Sequence, residues 1–279
     1  MSAFLLMLAV TGCYTITSLT DKYAVSEARF SANEFTFLMC SSMSVFLAIS
    51  LPFQDIRFTV SWQSFAAIAL VALCKILEFQ MSACVLKQLS AFELKAWLGI
   101  TLFASYFTDV FFGAALKISK LLCISVTVLG LVFIASSAKE TNVQYKKIVI
   151  PLILYLASKY GYGLVIKEFS PYISSTMQLF PAMVIIAVLM LPKTSFKKVF
   201  QEKRKYSVKV IISRIPNTIG MLLENAIIAI SLVNYSFIQP MILVSLFTIG
   251  LIRREKRSAL NLAGSILCVC GVVVFQMLH

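Results

Sequence analysis

The stretch SWQSFAAIALVALCKILEFQMSACVL, Ser61–Leu86, decides how this chain is read. It runs for 26 residues, and its only charged members are Lys75 and Glu78. A helix that crosses a bilayer uses about 20 predominantly apolar residues, and lipid offers no water to an open sheet edge. A segment of this length and polarity is therefore expected to cross as a helix. Lys75 and Glu78 stand three positions apart, on one helix face, where they can pair. A charge inside a bilayer is expensive unless it meets a partner or a wet cavity. The same segment is thus a span and a candidate site.

The rest of the chain repeats the pattern. Of 279 residues, 59% are hydrophobic and 13% charged, with a mean hydropathy of +0.90. Soluble domains carry about 45–50% apolar and about 25% charged residues. A soluble enzyme, a disordered chain and a disulfide scaffold are excluded at this step. Ten apolar stretches are expected to be spans: Ala3–Thr20, Glu34–Phe53, Ser61–Leu86, Ala91–Leu116, Leu121–Ser137, Ile148–Ile166, Ser174–Leu191, Val208–Val233, Ser236–Ile252 and Ser258–Leu278. Ten helices take roughly 200 residues, which leaves no room for a second, soluble domain. Met1-Ser2-Ala3 offers no basic leader, so the first stretch is expected to be a retained span.

The net charge of +13, from 25 Lys plus Arg against 12 Asp plus Glu, has a different meaning here than in a soluble protein. There it would suggest a nucleic-acid partner. In a membrane chain it orients loops and touches anionic headgroups, so the bilayer is the expected partner and nucleic acid is not. Loops after the odd-numbered stretches hold 17 basic residues, and those after the even-numbered ones hold four. That bias predicts the odd loops in the cytoplasm and both termini outside. The seven cysteines lie in apolar stretches, match no metal spacing, and are expected to be packed, reduced thiols.

The two halves, residues 1–138 and 139–279, resemble each other. Leu77-Glu78 with Ser90 matches Leu223-Glu224 with Ser236 at an offset of 146, and Lys22 matches Lys167 at 145. Gly130 matches Gly271, and Tyr14 takes the place of Lys159. Five spans per half make the second copy enter the membrane upside down. Inverted repeats of this kind are common in secondary transporters, which bind substrate near the midplane between the repeats. The expected fold is an all-α integral membrane protein of ten transmembrane helices arranged as two inverted five-helix repeats.

Pro240, Glu255, Gly264 and Gly271 resemble the closing motif of the drug/metabolite transporter superfamily, specifically its ten-helix EamA-type members. Nine residues separate Glu255 from Gly264 and seven separate Gly264 from Gly271, as in that family's pattern. Arg254 departs from it where Gly is usual. In the first half Ala114 and Cys123 stand where Glu and Gly are usual. The resemblance implies a multi-pass transporter of a plasma membrane such as the bacterial inner membrane, with both termini in the cytoplasm, against the charge count. Gly264 and Gly271 fall on one helix face, where they would let another helix approach closely.

Seven ionisable groups lie within spans: Lys75, Lys95, Lys159, Arg214, Glu78, Asp109 and Glu224. With Tyr14, Tyr160, Tyr162, Asn217 and Asn225, all but Lys95 form the expected substrate-binding set. Pro216 removes a helix hydrogen bond beside Asn217 and Thr218. Gly161 and Gly163 should loosen the helix beside two tyrosines. Plainer alternatives exist: Lys75 and Glu78 as a static pair, Lys159 snorkelling to an interface, Pro216 as a kink alone. Glu224 has no base within four positions and is the first choice.

Enzyme chemistry finds little footing, since the only histidine is His279 and no phosphate loop, nucleophile elbow or metal cluster is visible. No cofactor is expected. An embedded enzyme using Asp109 or the glutamates, and a scaffold, are the competing classes. The expected function is alternating-access transport of a small polar metabolite. Glu78 and Glu224 should face each other across the repeat interface, one of them exchanging a proton, with solute exchange as the alternative to proton coupling. The mixed charges suit an amino acid or related amphoteric amine, its carboxylate towards Lys159 or Arg214 and its amine towards Glu224. The second choice is a quaternary or lipophilic amine held by Glu224 and tyrosines.

Overall fold

A computed structural model describes residues 3–89, 91–137, 145–252 and 259–278. Ser90, Lys139, Arg254, Glu255, Ser258 and His279 lie outside them, as do the side chains of Lys22 and Lys95. The described chain is helical, with no strand: α1 (Ala3–Ser26), α2 (Ala32–Ser50), α3 (Trp62–Val85), α4 (Ala91–Leu98), α5 (Ile100–Phe111), α6 (Ile118–Ser137), α7 (Tyr145–Glu168), α8 (Ser175–Met190), α9 (Arg204–Ile230), α10 (Leu232–Ile252) and α11 (Ala259–Met277). Among the described residues six helices, α1, α2, α3, α7, α8 and α10, are long and apolar enough to cross a membrane. That is the make-up of a multi-pass membrane protein.

Differences from the sequence reading have local causes. The fourth stretch is two helices, because the chain breaks at Gly99. Helix α9 starts at Arg204 instead of Val208, and its Arg204, Lys205, Lys209, Arg214 and Glu224 make it more polar than the six. Helix α7 starts at Tyr145 instead of Ile148, and α1 continues to Ser26. Local chemistry sets several ends. Ser31 and Glu34 form a reciprocal cap on α2, with N···O distances of 3.2 and 3.0 Å. Leu51-Pro52 and Leu191-Pro192 each open a short 3₁₀ turn that ends α2 and α8.

Apolar side chains fill the core and also cover the outside of the bundle. Leu73, Phe107, Ile153, Val188 and Ile266, from five helices, are each more than half exposed, while Lys75, Gln178, Arg214 and Glu224 are buried. Helix α1 packs on α9 and α3 on α7; α2 packs on α9 and α3 on α8; α2 also packs on α8, and α6 on α11. The α6–α11 contact is the close approach expected of the glycines. A Cβ on Gly264 would lie 2.6 Å from the Gly130 carbonyl oxygen, and one on Gly271 would overlap Thr127 and lie 2.9 Å from the Cys123 carbonyl oxygen.

The described loops gather in separate places. Arg29, Lys87, Lys198 and Lys203, from the α1–α2, α3–α4 and α8–α9 connections, line one hollow. Ala3, Lys117, Lys167 and Leu278 line another, with Asp109 and Ser231. The α2–α3 and α7–α8 loops also meet, where the Ser174 amide donates to the Arg57 carbonyl at 2.8 Å.

Candidate functional site

Four helices, α1, α3, α7 and α9, bring a chain of charges together. Lys75 on α3 donates to Glu78 Oε2 at 2.8 Å. Lys159 Nζ on α7 lies 3.2 Å from Glu78 Oε1 and 3.2 Å from Glu224 Oε1 on α9. The Tyr14 hydroxyl on α1 donates to the other oxygen of Glu224. All five side chains are buried. Two ammonium groups against two carboxylates make the set neutral, which is the arrangement that lets charges persist in a low-dielectric interior.

Aromatic rings complete the shell. Lys75 Nζ lies 3.7 Å from the centre of the Tyr162 ring, and Lys159 Nζ lies 5.8 and 5.6 Å from those of Tyr14 and Tyr235. The Tyr162 hydroxyl donates to Asn225 Oδ1 at 2.6 Å, and the Tyr235 hydroxyl to the Lys159 carbonyl at 2.9 Å. Asn225 Nδ2 is buried without a hydrogen-bond partner.

A cavity of about 100 Å³ adjoins the cluster. Tyr14, Lys75, Glu78, Lys159 and Asn217 line it, and it continues along α1 and α3 past Ser18 and Ser82 to Asp21 and Leu86, towards the end where Arg29 and Lys87 lie. Several waters, or a solute of comparable size, would fill such a space.

The structure brings Tyr14, Lys75, Glu78, Lys159, Tyr162, Glu224 and Asn225 into one cluster, with Asn217 on the cavity wall. It sets three expected residues elsewhere. Asp109 caps α10: its carboxylate accepts from Ser231 Oγ at 2.8 Å and from the Leu232 and Val233 amides at 3.1 and 2.9 Å, and it pairs with Lys167 at 2.7 Å. Arg214 pairs with Asp21 instead of lining the cavity. Tyr160 hydrogen-bonds Thr108 on α5. Glu224, with no base within four positions along its own helix, is paired across helices by Lys159. Gly163 does not interrupt α7; its missing side chain admits the Tyr235 ring, 2.9 Å from where a Cβ would stand. Helix α9 likewise runs through Pro216, and the Thr218 hydroxyl donates to the Arg214 carbonyl at 2.8 Å.

The sequence reading missed Asp21, Tyr155 and Gln239, which also line the cavity, and Tyr235, whose ring stands beside Lys159. Asp21 and Tyr14 are seven positions apart, two turns along one face of α1, and Tyr155 precedes Lys159 by four. Helical spacing from a chosen residue was the available signal. Among the described residues no three of His, Cys, Asp and Glu converge as metal ligands.

No family model matches this sequence, and no curated protein matches it.

Proposed function

We propose that the protein is an alternating-access carrier for a small amphoteric solute, an amino acid or related amine, in a plasma membrane such as the bacterial inner membrane. The observation that carries this reading is the neutral Lys75–Glu78–Lys159–Glu224 chain at the head of a cavity. A static scaffold has no need of four buried charges beside an open space. A zwitterion can trade partners with such a set, its carboxylate to an ammonium and its amine to a carboxylate, without changing the net charge of the interior. A lone cation or anion would leave an uncompensated charge unless a proton or counter-ion moved with it. Proton coupling through Glu224 and solute exchange are the two ways the carrier would be driven.

Ten crossings in two inverted repeats account for the packing. A two-fold axis relating α1–α6 to α7–α11 pairs α1·α9 with α7·α3, and α2·α9 with α8·α3, and sets α2 on α8 and α6 on α11. These are the contacts observed. It also exchanges Tyr14–Glu224 with Lys159–Glu78, both of which are bonded. Among the described loops, the gathering of the α1–α2, α3–α4 and α8–α9 connections at one hollow and of the α5–α6 and α9–α10 connections at another supports ten alternating crossings. The EamA resemblance agrees with this architecture.

Binding of an amino acid, its decarboxylated amine and choline to purified protein tests the solute class. Tighter binding of the amino acid, lost in Lys159→Gln, supports the proposal. Equal binding of all three would favour the amine carrier.

A further inference from the structure

Away from the charge cluster, the hollow at the basic end has four cationic side chains, Arg29, Lys87, Lys198 and Lys203, and a single acid, Glu34. It measures about 600 Å³. Glu34 is buried and committed: it caps Ser31 and stands 3.5 Å from Lys203. Lys203 is committed as well, donating to the Arg29 carbonyl at 2.8 Å and lying 4.7 Å from the centre of the Phe30 ring. Arg29 itself is held in the left-handed region at φ 51°, a conformation unfavourable to a residue with a side chain. Arg29, Lys87 and Lys198 are exposed. Among the described residues that line the hollow, three cations from three separate connections thus have no acid left to pair with them.

A second observation fixes what kind of anion fits. Phe196 and Phe200 flank Lys198 in the α8–α9 connection, stacked with ring centres 6.1 Å apart, and are 47% and 43% exposed. Between the two phenylalanines in the chain, Val199 is buried in the core of the bundle. A basic segment with apolar side chains on its open flank is the pattern of a chain lying in the headgroup layer. A soluble anion gains nothing from the two rings, whereas a lipid offers phosphate to the bases and acyl chain to the rings.

We propose that this hollow binds the phosphodiester headgroup of an anionic phospholipid, with its acyl chains along Phe196 and Phe200. The site is separate from the carrier's solute site and its test does not read transport. The full chain is placed in mixed phosphatidylglycerol and phosphatidylcholine nanodiscs, and the lipid retained after extraction is measured by native mass spectrometry. Phosphatidylglycerol should be retained in preference. Arg29→Gln, Lys87→Gln and Lys198→Gln should each weaken that preference roughly fivefold, and the triple variant should abolish it. Lys117→Gln with Lys120→Gln, at the opposite end, should leave it unchanged. Inorganic phosphate at millimolar concentration should not displace the lipid. Undiminished preference in the triple variant, an equal loss in the Lys117/Lys120 control, or displacement by inorganic phosphate would each overturn the assignment.

Discussion

Glu78 and Glu224, 146 positions apart in sequence, share one counter-ion: an Oε1 atom of each lies 3.2 Å from Lys159 Nζ. Each glutamate has one further partner, Lys75 for Glu78 and the Tyr14 hydroxyl for Glu224. The shared lysine joins the two halves of the chain, as the Asp109–Lys167, Glu34–Lys203 and Asp21–Arg214 pairs also do.

Removing that lysine should be severe. Lys159→Met leaves Glu224 buried with only a phenol beside it, and loss of one partner from a buried pair costs about 3–5 kcal/mol. Thermal unfolding in detergent should show a large drop. Adding Glu224→Gln should restore much of the loss, since the orphaned charge is gone. A double variant as unstable as the single one would contradict the pairing.

The α6–α11 interface should tolerate no side chain at its glycines. Gly264→Ala must displace backbone at Gly130 and Ile134. Overpacking of this kind costs about 1–3 kcal/mol. Gly12→Ala, with nothing within 4 Å of the new Cβ, should be neutral or slightly stabilising. Unfolding temperatures of the two variants provide the comparison.

Asp109→Ala should separate stability from binding. It removes the cap on α10 and the partner of Lys167, so unfolding should become easier by about 1–2 kcal/mol. Solute affinity, measured by calorimetry on the folded variant, should be unchanged. A selective loss of affinity would return Asp109 to the solute site.

These expectations show which parts of the site a sequence exposes. Lys75 and Glu78 were legible because both lie in one helix at a spacing that faces them together. Glu224 was legible as a charge in a span, and the offset of 146 tied it to Glu78. Its partner was not, because Lys159 reaches it from a helix 65 residues away. The partners of Asp109 were hidden for the same reason: the amides it caps lie 123 and 124 positions further along. The spacing of Gly264 and Gly271 announced a close helix contact without saying which helix fills it. The break at Gly99 and the polarity of α9 take two of the ten apolar stretches out of the long apolar set, and α6 and α11 contribute only the shorter apolar runs Ile118–Ile134 and Leu262–Met277 among the described residues.

Orientation follows from the sorting of the loops. With the basic end in the cytoplasm, Lys117→Cys in an otherwise cysteine-free protein should react with an impermeant maleimide added to intact cells. Lys87→Cys should react only after permeabilisation. The reverse pattern would invert the orientation, as the family resemblance implies, and leave the fold intact.

Solute counterflow in proteoliposomes tests the central claim most directly. Vesicles loaded with an unlabelled amino acid should accumulate the labelled one saturably when they contain the wild-type protein. Vesicles containing folded Glu224→Gln protein should accumulate none above the protein-free background. Absence of saturable counterflow across a panel of amino acids and amines, or equal counterflow in the Glu224→Gln variant, would contradict the assignment of the buried charge cluster as a transport site.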